Sequence, residues 1–127
     1  MHTDERTATR VRLLHAIFEQ QARVTPAAVA LDVPPAHVGM PRGRLTYAEL
    51  DAAADALAVR LAAHVRAECI VAVLLPRAGA GLFMAQLAIM KAGAAWTCIE
   101  PGTPTERLRF LLEDSRAVAV VAGDAER

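Results

Sequence analysis

The chain has 127 residues, enough for one domain or part of a larger one. Its hydrophobic fraction is 54% but only 4% is aromatic, so a core must be built from Leu, Val, Ile and Ala. Fourteen basic residues balance 14 acidic ones, which excludes a polyanion partner read from charge, and Lys91 is the only lysine.

Cys69 and Cys98 lie in apolar runs and read as packing residues of a reducing, cytoplasmic compartment. The histidines, His2, His15, His37 and His64, are scattered without short-spaced partners, so no metal site is expected. The opening Met-His-Thr-Asp-Glu-Arg has no apolar core and is not a signal peptide. No apolar run approaches the ~20 residues of a membrane span.

Residues 1–10 are polar and predict a flexible N-terminus. Val11, Leu14, Ile17 and Phe18 recur at helical spacing and predict an amphipathic helix over 11–21, stopped by Thr25-Pro26. Residues 28–33 predict a strand. The stretch with Pro34, Pro35, Gly39, Pro41 and Gly43 returns the chain to a short strand ending near Leu45, giving a hairpin.

The next helix has the clearest start. Thr46 as N-cap and Glu49 three residues later form a capping-box pattern, with Leu45 and Leu50 placed as a hydrophobic staple. Leu50, Ala54, Leu57 and Leu61 then make one apolar stripe. Residues 69–75 form a continuous apolar run closed by Pro76, as a parallel strand buried on both faces requires. Residues 82–92 predict a buried helix ending at Lys91 and Gly93, both suited to a helix C-terminus. A strand over 95–99 follows. Thr103 and Glu106 repeat the capping pattern with Pro104 at the first helical position, and that helix runs to Ser115. Residues 117–121 predict a last strand. The fold class expected is α/β: an N-terminal helix and β-hairpin, then a βαβαβ unit with parallel strands.

Two segments carry a family likeness. Residues 45–51, Leu-Thr-Tyr-Ala-Glu-Leu-Asp, resemble the first core motif of the adenylation domains of nonribosomal peptide synthetases. Residues 90–101, from Met90-Lys91-Ala92-Gly93 through Glu100-Pro101, resemble the second. Residues 14–19, Thr25-Pro26, residues 29–31, the prolines at 101 and 104, and residues 111–115 fall in the same order and spacing. The likeness covers about residues 13 to 122.

This resemblance implies that residues 11–127 are the N-terminal portion of an adenylation (AMP-binding) domain, within the large N-terminal subdomain of an adenylate-forming ligase. It implies a parent that uses ATP and Mg²⁺ to make an aminoacyl-adenylate and loads the acyl group onto a phosphopantetheine thiol in secondary metabolism. It also implies as partners the remainder of the domain, a carrier protein and a condensation domain, with no nucleic acid and no membrane. The phosphate-holding loop and the catalytic lysine of such enzymes lie downstream of the matched segment, so no catalytic, cofactor-binding or metal-binding residue is assigned here. This chain alone is expected to be inactive and to bind no cofactor. Lys91 reads as a helix C-terminal cation, Thr46/Glu49 and Thr103/Glu106 as caps, and Glu113-Asp114 as a solvated helix end.

Two alternatives come from the residues themselves. Gly79-Ala80-Gly81 between a strand and a helix, with Glu100 about 20 positions on, outlines a Rossmann-like dinucleotide-binding turn. Met84 stands at the third glycine position and weakens it. A bare sheet edge would also suit a non-enzymatic interaction module.

Overall fold

The computed structural model describes residues 13–35, 38–39 and 42–123. The expected flexible segment 1–10 and the first residues of the expected opening helix lie outside the described residues.

Helix α1 (Leu14–Val24) runs three residues beyond the expected end, up to the Thr25-Pro26 stop. There the Thr25 hydroxyl donates to the Gln21 carbonyl at 3.1 Å and accepts from the Gln21 amide at 2.7 Å, closing the last turn. Strands β1 (Val29–Val33) and β2 (Gly43–Thr46) pair antiparallel, with Asp32 opposite Arg44 and Val33 opposite Gly43. Arg42 donates to the Asp32 carboxylate at 2.6 Å, and that hydrogen bond holds the Asp32 pKa below its ordinary value.

Helix α2 (Tyr47–Ala62) starts on the expected capping box. The Glu49 N–H donates to the Thr46 hydroxyl at 3.1 Å, and the Thr46 N–H donates to the Glu49 carboxylate at 2.9 Å. The backbone bond from Thr46, followed by its side-chain bond, lowers the Glu49 pKa. The hairpin is tied to this helix start: Tyr47 N–H donates to Ala28 O at 2.9 Å and Ala48 N–H to Pro26 O at 3.1 Å.

Strand β3 (Ile70–Leu74) is the centre of a three-stranded parallel sheet in the order β4-β3-β5, with β4 (Ala95–Cys98) and β5 (Ala119–Ala122) at its sides. Helix α3 (Ala80–Lys91) connects β3 to β4, and α4 (Thr105–Ser115) connects β4 to β5. The two crossovers run in opposite directions, so right-handedness puts their helices on opposite faces. The core confirms it. Val71 and Val73 of β3 pack with Leu50, Ala54 and Leu61 of α2 and with Ala85, Leu87, Ala88 and Ile89 of α3. The alternate residues, Ala72 and Leu74, pack with Ile99 and with Leu108, Leu111 and Leu112 of α4. β3 is thus buried on both faces, as its unbroken apolar run required.

Helix α3 ends in a Schellman motif: Gly93 N–H donates to Met90 O at 3.0 Å and Ala94 N–H to Ile89 O at 3.1 Å, with Gly93 at φ 83°. The second capping expectation is corrected. Pro104 itself is the N-cap of α4, so the helix begins one residue later than the pattern implied and no side chain caps it. The Thr103 hydroxyl instead donates to the Glu100 carbonyl at 2.6 Å, closing the preceding turn. Glu113 and Asp114 are exposed, as expected for a solvated helix end.

Candidate functional site

In an open α/β sheet the place for a ligand is the crevice beyond the carboxyl ends of two neighbouring strands whose connections leave to opposite faces. β3 and β4 are such a pair, because β3 leads to α3 on one face and β4 leads to α4 on the other. A hollow of about 400 Å³ lies there, lined by Leu75, Arg77, Leu82, Phe83, Cys98, Ile99 and Glu100. Its floor is aliphatic and aromatic. Across its lip Arg77 Nε meets Glu100 Oε1 at 2.9 Å, with the two side chains 84% and 64% exposed. An ion pair that wet contributes between nothing and about 1 kcal/mol. The arrangement can receive an apolar surface beside a mixed-charge rim.

The glycine turn opens α3 next to this crevice, with Gly79 as N-cap. Neither glycine is there for lack of room, since a Cβ at Gly79 would meet nothing nearer than 3.9 Å and one at Gly81 nothing nearer than 3.7 Å. Met84, at the third position of the dinucleotide outline, packs into the core beneath α3. A side chain that supports the core there does the opposite of what the third glycine of that fingerprint does, which is to let helix and strand approach closely.

Lys91 is the residue whose surroundings the sequence left unseen. It does sit at the C-terminus of α3, but its Nζ also contacts Asp51 at 2.7 Å, Asp55 at 2.7 Å and Glu19 at 3.1 Å. Its side chain is only 7% exposed. Burial pulls the ammonium's pKa down, but the hydrogen bonds to Asp51, Asp55 and Glu19 outweigh it and hold the pKa above the usual lysine value. The group joins α1, α2 and α3 through one cation. An ammonium so held is a structural tie and is not free to meet a substrate. Asp51 and Lys91 belong to the two segments that carry the family likeness, so these motifs meet in space at this contact.

The profile of the family described as "AMP-binding enzyme" matches residues 18–127. One of the plipastatin synthases of Bacillus subtilis (strain 168) is 45% identical over 105 residues, which is 82% of this chain and 4% of that protein. A surfactin synthase of the same organism is 37% identical over 112 residues, 88% of this chain and 3% of that protein. Among solved structures, the nonribosomal peptide synthetase FmoA3 in its AMPPNP-bound form matches with a TM-score of 0.79 at 33% identity, over 91% of this chain and 12% of that one. The N-terminal subdomain of Klebsiella oxytoca NpsA matches in fold with a TM-score of 0.75 at 24% identity, over 92% of this chain and 29% of that one. The chain therefore spans a small part of each relative. With a profile match that takes in both motifs, the hairpin, the parallel sheet and the helices between its strands, the chain belongs to the AMP-binding enzyme family.

Proposed function

We propose that the chain forms the N-terminal portion of an amino-acid-activating adenylation domain of a nonribosomal peptide synthetase, with residues 11–127 as the domain portion. The observation that carries this reading is the unbroken likeness to such synthetases, 33% identity over 91% of the chain to one that binds AMPPNP. In the reaction proposed for the whole protein, the carboxylate of an amino acid attacks the α-phosphorus of ATP. Pyrophosphate leaves, and the aminoacyl group then passes from the adenylate to a phosphopantetheine thiol. Mg²⁺ would neutralise the phosphates.

The contribution of these residues is scaffold. The one lysine is engaged by three carboxylates, which supports its structural role, and no catalytic, cofactor-binding or metal-binding residue is proposed in this chain. The partners proposed are the remainder of the domain, a carrier protein and a condensation domain, in the cytoplasm. No helix among the described residues is long and apolar enough to cross a membrane.

Amino-acid-dependent ATP–pyrophosphate exchange tests this. The chain alone should give none, and exchange should appear when the remainder of the domain is supplied in cis or in trans. Exchange by these 127 residues alone would overturn the scaffold assignment. A raised melting temperature with millimolar NADH and not with ATP would favour a dinucleotide binder instead.

A further inference from the structure

Helix α1 is attached to the rest of the protein by little apolar surface. Ala22 is its only buried residue, while Leu14, Ile17 and Val24 face outward at 67%, 50% and 69% exposure. Its inward contacts include one to α2 and one to α3. Phe18 meets Tyr47 with ring centroids 5.5 Å apart, and Glu19 meets Lys91 at 3.1 Å.

The second contact is unequal in a way that matters. Lys91 sits among three carboxylates, so the group carries two negative charges in excess. Two of the carboxylates, Asp51 and Asp55, come from α2 and lie closer, at 2.7 Å each. If Glu19 withdraws, Lys91 keeps both of these partners, and the repulsion among the carboxylates falls. The α2–α3 side of the tie is therefore closed without α1, whereas the α1 side depends on Glu19 alone. The chain just past α1 is fixed, because Pro26 O and Ala28 O accept from Ala48 N–H and Tyr47 N–H. Between this anchor and the helix lies Thr25, outside the helical region at φ −129°, ψ 63°. From α1, Phe18 forms one wall of an apolar hollow of about 320 Å³, open to solvent, whose other walls include Leu31, Tyr47, Leu50 and Met90.

We infer that α1 is a hinged strap: it opens as a unit about Thr25, with Glu19–Lys91 as its latch, and its opening removes the Phe18 wall of the apolar hollow. The strap needs no ligand to be tested and stands on these contacts alone, whether or not the adenylation reading holds.

Hydrogen–deuterium exchange on the 127-residue chain and its Glu19→Gln variant reads the latch directly. A charge-assisted bond of this kind is worth roughly a ten-fold or larger change in local opening. Protection of the amides of residues 18–24 should fall by that factor in Glu19→Gln, while the amides of residues 71–74 in β3 keep theirs. Raising salt to about 1 M should loosen α1 in the native chain, since Glu19 is partly exposed. It should have no further effect on α1 in Glu19→Gln. An α1 whose protection is unchanged in the variant overturns the proposal. So does a parallel loss in β3, which would make α1 part of the global unit. Phe18→Ala supplies a second test: α1 protection should fall there too, and the salt dependence should remain.

Discussion

Lys91 and Arg116 show how a single side chain can be fixed by partners or by backbone that its neighbours in sequence do not disclose. Lys91 finds carboxylates 40 and 72 positions away, distances over which no periodicity in one sequence reports. What could be read was its place at a helix end, which was correct but incomplete. Replacing it by Met leaves three carboxylates facing one another, and breaking a buried ion pair from one side costs about 3–5 kcal/mol. Asp55 keeps water, with its side chain 59% exposed, so Lys91→Met should cost about 3 kcal/mol, at the low end of that range, in a urea unfolding experiment. The pH dependence has a definite sign. A folded-state pKa raised above the unfolded value of about 10.4 gives stability that is complete below that pH and declines as pH rises toward the folded value. The stability gap between the native chain and Lys91→Met should therefore be flat near neutrality and shrink in alkali. Arg116 is fixed by backbone. It ends α4 in the left-handed region at φ 57°, with Arg116 N–H donating to Glu113 O at 3.2 Å and Ala117 N–H to Leu112 O at 3.3 Å. That position favours glycine, and a left-handed non-glycine residue costs roughly 1–2 kcal/mol. Arg116→Gly should raise stability by about 1 kcal/mol.

Among the elements, those with their own punctuation were legible and those without it were not. The capping box at Thr46 and Glu49 fixed the start of α2, and Gly93 fixed the end of α3, because each signal is satisfied by hydrogen bonds within a few residues. The pattern at Thr103 and Glu106 looks the same on paper but fails, because Pro104 takes the cap position and the Thr103 hydroxyl turns back to Glu100. Two substitutions separate these cases. Thr46→Ala should cost about 1 kcal/mol as a lost cap. Thr103→Ala should cost only a few tenths, the range of an ordinary surface change. Comparable losses for the two threonines, measured by thermal or urea unfolding, would mean that α4 is capped by Thr103 after all. The contribution of the Glu49 carboxylate to α2 has the opposite pH sign to that of Lys91. Its lowered pKa makes its stabilisation present above the ordinary glutamate value of 4.5 and lost as pH falls through the folded value.

For the molecule as a whole, the unbroken apolar run of β3 told that the strand is buried on both faces, and the order of elements told that the sheet is parallel. The order β4-β3-β5 was not legible, since choosing which side of β3 receives β5 depends on where α4 can pack. Nor did the sequence place the crevice between Arg77 and Glu100, which exists only because α3 and α4 lie on opposite faces. The sheet order has a consequence for the scaffold claim. β5 pairs with β3 along one side, and Val118 N–H donates to Ile70 O at 2.9 Å. Val71 and Val73 bond toward β4, so with Val71 opposite Ala119 and Val73 opposite Val121 it is Ala119 and Val121 that bond toward β3. The N–H groups of Val120 and Ala122 point away, toward an edge that carries no strand among the described residues. An edge of this apolar composition is one that a further strand of a larger sheet would cover.

Amide exchange at Val120 and Ala122, followed by NMR on the chain alone and after the remainder of the domain is supplied, asks this most directly. These two amides should exchange freely in the isolated chain and become protected in the reconstituted domain, with Val121 protected in both. If Val120 and Ala122 are as exposed in an active reconstituted domain as in the chain by itself, the β5 edge is not where the larger enzyme is built on.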